Sequence, residues 1–311
     1  MTGWKDVCQE VYRSTSLSIV VHERPDGDAL GSAAALFHAF RHRKKVEIVC
    51  ATTVPEVFLP LLGKVPIGRE FSQNKGLVVL LDCAQWHRTG FEDALNKAKL
   101  EKRRIIAFDH HSGCSIGKHV DASVHDPGVS STAELIGRCL HELRVPINGK
   151  VADCLLLGIY TDTGGFRHPN TSSETLRMAS RLISHGANLE LLHQAFESRR
   201  TLFKTRLWGE VLSNTLINKL GIAVAKVDRS TLEKVGSSVE DAAGLANNLV
   251  MLQGAKVAMV LVEVDKGWKV SLRTRKPNID LRRLVKYFGG RGTQKASGFL
   301  ATKELLSGKI N

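Results

Sequence analysis

A chain of 311 residues with 43% hydrophobic content is long enough for one large globular domain or two ordinary ones, which excludes disordered and fibrous classes. Its net charge of +13 and sequence pI near 9.6 imply a positive field that draws polyanions and raises their encounter rate. The start, Met1–Asp6, lacks the basic-then-apolar pattern of a secretory leader, and no apolar run approaches the roughly 20 residues that span a bilayer. A soluble cytoplasmic protein with no membrane partner is therefore expected. Cys8, Cys50, Cys83, Cys114, Cys139 and Cys154 form no Cys-x-x-Cys pair, so they read as reduced thiols that mostly fill the core.

Three apolar runs come first: Leu17 to Val21, Leu77 to Leu81 and Ile105 to Phe108, each predicted as a buried parallel strand. Helical stretches at 29–40 and 131–143 alternate with them, the pattern of a doubly wound α/β sheet. Asp28 falls at the predicted start of the first helix, where its carboxylate can serve either as cap or as metal ligand. Gly31-Ser-Ala-Ala-Ala35 offers small residues for close packing of that helix on the sheet. The basic runs 41–45 and 102–104 fall near predicted helix ends, where cations suit the dipole, and need no ligand. Residues 1–195 are assigned to this first domain and 196–216 to a helical connector. A smaller α/β domain is expected over 217–311, with strands at 221–227, 256–264, 268–273 and near Phe299. Helices are expected near 241–252 and at 279–288, and a glycine-bearing turn over 289–292.

The chemistry gathers at the ends of the predicted strands. His22 follows the first, Asp82 the second and Asp109 the third, with His110 and His111 beside it. In open α/β sheets the crevice outside the carboxyl ends of the strands is where ligands bind. Pro25 sits between His22 and Asp26, so a turn brings those two together, and Asp28 projects two residues further on. This spacing suits two adjacent divalent ions, one on His22 and Asp26 and its neighbour on Asp28. Asp82 is the natural bridge, since a carboxylate has two oxygens. His110 and Asp162, the latter after the apolar stretch 154–160, complete the second ion. Two imidazoles among carboxylates favour Mn²⁺, with Mg²⁺ or Co²⁺ also open. A pair of ions roughly 3.5 to 4 Å apart activates water and clamps the oxygens of an in-line displacement at phosphorus, which points to phosphoester hydrolysis. His168, close behind Asp162, is a candidate for substrate contact.

These residues resemble the DHH phosphoesterases, whose name-giving triplet stands here as Asp109-His110-His111. The resemblance extends to His22-x-x-x-Asp26-x-Asp28-x-x-Gly31-Ser32, to Leu81-Asp82, to Ser130-Ser131-Thr132-Ala133-Glu134 and to Tyr160-Thr161-Asp162-Thr163-Gly164-x-Phe166-Arg167. The C-terminal part is similar to the family's DHHA1 substrate-binding domain, through Ser271-Leu272-Arg273 and Ala296-Ser297-Gly298. The compact two-domain form resembles the bacterial oligoribonucleases that also dephosphorylate adenosine 3′,5′-bisphosphate.

The resemblance implies Mn²⁺ ligands at His22, Asp26, Asp28, Asp82, His110 and Asp162. It implies that His111 lies beside the scissile phosphate and that Asp109 holds an imidazole through its distal nitrogen. Arg273 and the turn containing Gly290, Arg291, Gly292, Thr293 and Ser297 would receive the substrate's far phosphate or base across an interdomain cleft. Where the family turn usually reads Gly-Gly-Gly-His, this chain has Gly290-Arg291-Gly292-Thr293, which bears on specificity more than on chemistry. The expected activity is release of nucleoside monophosphates from very short oligonucleotides, with a phosphatase activity on adenosine 3′,5′-bisphosphate. Cyclic or linear dinucleotide hydrolysis is the alternative within the family. Inorganic pyrophosphate is a weaker one, and a non-catalytic nucleotide- or RNA-binding module is the alternative outside it. A homodimer is left open.

Overall fold

The computed structural model describes residues 3–71, 76–196, 201–265 and 267–302. The chain divides into two compact units, residues 1–198 and 199–311.

In the first unit, six strands form a parallel sheet in the order β3-β2-β1-β4-β5-β6. They are β1 (Ser16–Val21), β2 (Lys45–Val49), β3 (Ile67–Gly68), β4 (Leu77–Leu81), β5 (Ile105–Asp109) and β6 (Ala122–His125). Among the described residues the unit's α-helices are α1 (Trp4–Arg13), α2 (Gly27–Phe40), α3 (Leu59–Leu62), α4 (Glu92–Leu100), α5 (Thr132–Glu142), α6 (Gly149–Asp162), α7 (Ser173–Ser184) and α8 (Leu189–Phe196). The central strands β4 and β5 are buried along their whole length, as strands covered on both faces must be. Side-chain alternation splits the core accordingly. Leu17, Ile19, Val21, Val79, Leu81, Ile106 and Phe108 join the α2, α5 and α6 side. Val20, Val78, Leu80, Ile105 and Ala107 join Leu95 and Ala98 of α4 on the other.

Strand order reverses between β1 and β4, the switch point at which such sheets open a crevice. The register then fixes the site. Val21 pairs with Leu81 and Leu81 with Phe108, so the next residues, His22, Asp82 and Asp109, stand in one row at the carboxyl edge.

Two local expectations need correction, concerning the cap of α2 and the role of Gly31. The cap of α2 is Asp26, whose Oδ1 accepts the amides of Asp28 and Ala29 at 3.0 and 3.1 Å; Asp28 lies inside the first turn. The apolar stretch before Asp162, to which the sequence reading assigns no element, lies in α6, and Asp162 is the last residue of that helix. Gly31 serves helix–helix packing: a Cβ there would lie 2.4 Å from the Cys154 carbonyl oxygen of α6. Facing it on α6, a Cβ at Gly158 would lie 2.4 Å from Ala133 Cβ and 2.8 Å from Asp28 Oδ1. We expect Gly158→Ala to destabilise the protein by about 1–3 kcal/mol, because overpacking outweighs a gain in helix propensity of about 1 kcal/mol. A melting temperature equal to or above wild type would show that the helices can part without cost.

The second unit holds β7 (Leu216–Ile217), β8 (Ile222–Val227), β9 (Val257–Val264), β10 (Gly267–Thr274), β11 (Arg291–Gly292) and β12 (Ala296–Ala301). Their order is β11-β12-β10-β9-β8-β7, with β8 and β9 parallel and the other pairs antiparallel. Helices α9 (Leu202–Ser213), α10 (Arg229–Val235) and α11 (Leu245–Leu249) cover one face; α12 (Leu281–Lys286) covers the other. The helical connector region contains α9, and its Leu207, Trp208 and Val211 belong to this unit's core. The helix expected near 241–252 is interrupted: Gly244, at φ 94°, separates a 3₁₀ turn at Val239–Ala242 from α11.

Candidate metal centre

His22 stands one residue beyond β1 and is 3% exposed. Its Nδ1 meets the Glu23 carbonyl oxygen at 2.7 Å, and since a carbonyl only accepts, Nδ1 carries the proton. Nε2, which in the neutral ring is the acceptor nitrogen, is buried and without a hydrogen-bond partner. It lies 3.9 Å from Asp26 Oδ1 and 3.8 Å from Asp82 Oδ2. An acceptor nitrogen facing two acceptor carboxylates is an arrangement that a cation satisfies, and a backbone carbonyl fixing the other ring nitrogen is the usual support of a metal-binding imidazole.

A second group lies alongside. His110 Nε2 is 3.7 Å from Asp28 Oδ2, 3.6 Å from Asp162 Oδ2 and 3.7 Å from Asp82 Oδ1. Burial, and then the neighbouring His111, lower the His110 pKa to about 4, so its ring is neutral at physiological pH and its lone pair is available. The donor atoms of His22, Asp26 and Asp82 all lie within 4.8 Å of one another, as do those of Asp28, His110 and Asp162. A third combination, Asp82 with His110 and His111, overlaps both. Asp82 therefore offers one oxygen to each side.

The electrostatics fit a cation. Burial, followed by the charges of Asp28 and Asp26, pushes the Asp82 carboxyl well above the usual carboxylate range. Burial, then Asp162 and Asp26, does the same to Asp28, and burial and Asp26 raise Asp162 to about 6. Positive charge at the centre would relieve this crowding and favour all three as carboxylates.

Asp109 is employed differently. Its Oδ2 accepts the Ala84 amide at 2.5 Å, and its Oδ1 accepts the His111 amide at 2.8 Å and lies 3.1 Å from His111 Nδ1. Against the effect of burial, these donors hold Asp109 below its usual pKa. The same contact raises His111, whose ring is partly exposed. His168 is exposed, with Nδ1 3.1 Å from the Asp162 carbonyl oxygen.

Two residues without a distinctive sequence signal also belong to the centre. Thr132 Oγ1 donates to Asp82 Oδ1 at 2.8 Å, while the amides of Thr132 and Ala133 donate to the two oxygens of Asp28 at 2.7 and 2.8 Å. Asn170 Nδ2 donates to Asp162 Oδ2 at 3.2 Å and to the Ser130 carbonyl oxygen at 2.9 Å. The Ser130–Glu134 motif carried Thr132, but only as a resemblance without a role; nothing in the local pattern marked Asn170.

The remaining sequence-derived residues lie in the second unit. Arg273 is on β10 opposite Ala296, with Nε 2.8 Å from Asn247 Oδ1. Gly290 and Gly292 permit a close hairpin: a Cβ at Gly290 would lie 2.5 Å from the Gly298 carbonyl oxygen, and one at Gly292 2.4 Å from that of Ala296. Within the turn, the Thr293 amide donates to Ala296 O at 2.7 Å and the Ser297 hydroxyl to Thr293 O at 2.7 Å. Both Thr293 and Ser297 hydroxyls are engaged by this turn, while Arg291 is exposed. Charge is also unevenly spread. Residues 199–311 hold 21 Lys and Arg against 9 Asp and Glu, whereas residues 1–198 hold 23 against 22, so nearly all the positive excess lies in the second unit.

A doubly wound sheet whose switch point presents paired carboxylate–imidazole groups defines a metal-dependent phosphoesterase. The family model "DHH family, N-terminal domain" matches residues 16–159. The chain is 30% identical over 297 residues to the bifunctional oligoribonuclease and PAP phosphatase NrnA of Bacillus subtilis, covering 93% of this chain and 91% of that protein. It is 29% identical to the protein of the same name from Thermus thermophilus, over 90% of this chain and 82% of the relative. Among solved structures, an exopolyphosphatase-related protein from Bacteroides fragilis superposes with a TM-score of 0.82 at 24% identity, covering 98% of this chain and 93% of that one, a likeness of fold. The chain belongs to the DHH family. Among the described residues, no helix is long and apolar enough to cross a membrane.

Proposed function

We propose that this phosphoesterase is a Mn²⁺-dependent phosphodiesterase that releases nucleoside monophosphates from very short oligonucleotides and removes the 3′-phosphate of adenosine 3′,5′-bisphosphate. The observation that carries the chemistry is Asp82, buried at the switch point with one oxygen toward each ligand group. The substrate class rests on the two relatives similar along nearly the whole chain, both named as oligoribonuclease and PAP phosphatase.

In this reading His22, Asp26 and Asp82 hold one ion, and Asp28, His110 and Asp162 the other, with Asp82 common to both. When bound, the ions supply Lewis acidity for attack of water on phosphorus. His111, tethered through Nδ1 to Asp109, presents its other nitrogen to the scissile phosphate, and its raised pKa suits it to hold a proton for the departing oxygen. His168, at the rim beside Asp162, contacts substrate. In the second unit, Arg273 and the Gly290–Ser297 hairpin with Arg291 bind the distal phosphate or base, and the positive excess there draws a polyanion.

Turnover with Mn²⁺ should be compared on a labelled dinucleotide, a 24-mer, a cyclic dinucleotide, adenosine 3′,5′-bisphosphate and pyrophosphate. The dinucleotide and the bisphosphate should have the highest kcat/KM. Preference for the cyclic dinucleotide or pyrophosphate would replace this substrate assignment.

A further inference from the structure

We infer that Thr132 is the positioning residue that makes Asp82 a bridge, and that without its hydroxyl the two ligand groups no longer act as a pair. The inference rests on the dinuclear reading above and extends it to a residue that supplies no ligand.

The carboxylates of the centre are steadied in different ways. Asp28 has an amide on each oxygen, from Thr132 and Ala133. Asp162 has Asn170. Asp82, by contrast, takes one hydrogen bond among the described residues, from Thr132 Oγ1 to Oδ1 at 2.8 Å; His111 Nδ1 stands further off, 3.5 Å from the same oxygen and closer, at 3.1 Å, to Asp109. A carboxylate turns readily about its terminal torsion, whose preference is broad and roughly two-fold. The Thr132 bond selects the orientation in which Oδ1 lies 3.7 Å from His110 Nε2 while Oδ2 lies 3.8 Å from His22 Nε2. Released, the carboxylate can turn both oxygens toward the His22 and Asp26 side and chelate one ion there.

The hydroxyl is itself held in place. Thr132 is fully buried in the first turn of α5, whose cap Ser131 accepts the Glu134 amide at 3.1 Å. Glu134, 1% exposed, accepts from the Ser130 amide and hydroxyl at 3.1 and 2.7 Å and from Thr175 Oγ1 of α7 at 3.0 Å. Four donors with Arg138 at 2.6 Å thus pin the turn from which Thr132 reaches Asp82. Valine has nearly the shape of threonine without its donor, so Thr132→Val isolates the hydrogen bond; the amides that hold Asp28 persist in any variant.

Mn²⁺ binding to the full metal-free chain should be measured by calorimetry, with electron paramagnetic resonance reporting whether bound ions are coupled. Wild type should take two ions with a coupled spectrum. Thr132→Val should retain the first ion at near wild-type affinity, bind the second roughly 10- to 100-fold more weakly and lose the coupled spectrum. Thr132→Ser, which keeps the hydroxyl, should restore both. Thr132→Ala should repeat the valine result if the valine variant fails to fold. Two tightly bound, coupled ions in both the valine and alanine variants would overturn the inference while leaving the dinuclear reading intact. A wild type that binds at most one ion would overturn both.

Discussion

Asp82→Asn should lower kcat/KM for any substrate of this enzyme by about 10³-fold or more, beyond what removal of one preorganised polar group usually costs. Asp82 has an oxygen toward each ligand group, so its loss weakens both at once. Asparagine is the appropriate replacement because Asp82 sits at φ 60°, a left-handed conformation that asparagine tolerates and alanine resists. The variant also separates a damaged site from a damaged fold. In the metal-free protein, Asp82 is buried among Asp28, Asp26 and Asp109, whose charges all work against its ionisation. Neutralising it should leave the melting temperature of the metal-free protein unchanged or raise it. Added Mn²⁺ stabilises wild type by mass action, and that increment should disappear in the variant. A variant that melts much lower without metal would show that Asp82 holds the fold together. A variant that still gains stability from Mn²⁺ and turns over normally would remove Asp82 from the centre.

What could be read from the sequence was what depends on runs of neighbouring residues. The strands preceding His22, Asp82 and Asp109 are fully buried and continuous, so their apolar runs mark them, and parallel register aligns the residues that follow. Short edge strands such as β3, with two residues, leave no such mark. Helix α1 does carry a local pattern: Val7, Cys8 and Val11 lie on one buried face, and the Gly3 amide donates to Asp6 at 3.0 Å to close its first turn. Local sequence leaves Asp28 open as cap or ligand, and geometry gives the cap to Asp26. Asp26 at the extended cap position reaches the amides of its own helix, whereas Asp28, inside the turn, points across to α5. Thr132 lies 50 residues from Asp82, and a hydrogen bond over that separation has no periodic trace. Helix packing leaves no local trace for a related reason. Gly31 and Gly158 are 127 residues apart, and only the fold shows that one glycine seats itself against the other's helix.

His111→Gln provides the second large effect, and its value lies in separating two roles the geometry allows. His111 Nδ1 is 3.1 Å from Asp109 Oδ1 but also 3.5 Å from Asp82 Oδ1, and it belongs to one of the three groups able to hold an ion. As a proton donor to the departing oxygen, it should cost roughly 10²- to 10⁴-fold in kcat when replaced, with Mn²⁺ affinity unchanged. As a ligand, it should cost metal affinity in the first place, and excess Mn²⁺ should recover much of the rate. We infer the donor role from how the neighbouring carboxylates are held. Asp109, which accepts the backbone amides of Ala84 and of His111 itself besides the His111 ring, is more strongly anchored than Asp82, so the shorter of the two contacts is also the better supported. A substrate with an activated leaving group, such as a p-nitrophenyl phosphoester, needs little protonation as it departs. On it, His111→Gln should therefore recover most of the lost rate without added metal. Recovery with excess Mn²⁺ and none with the activated ester would instead assign His111 to the metal.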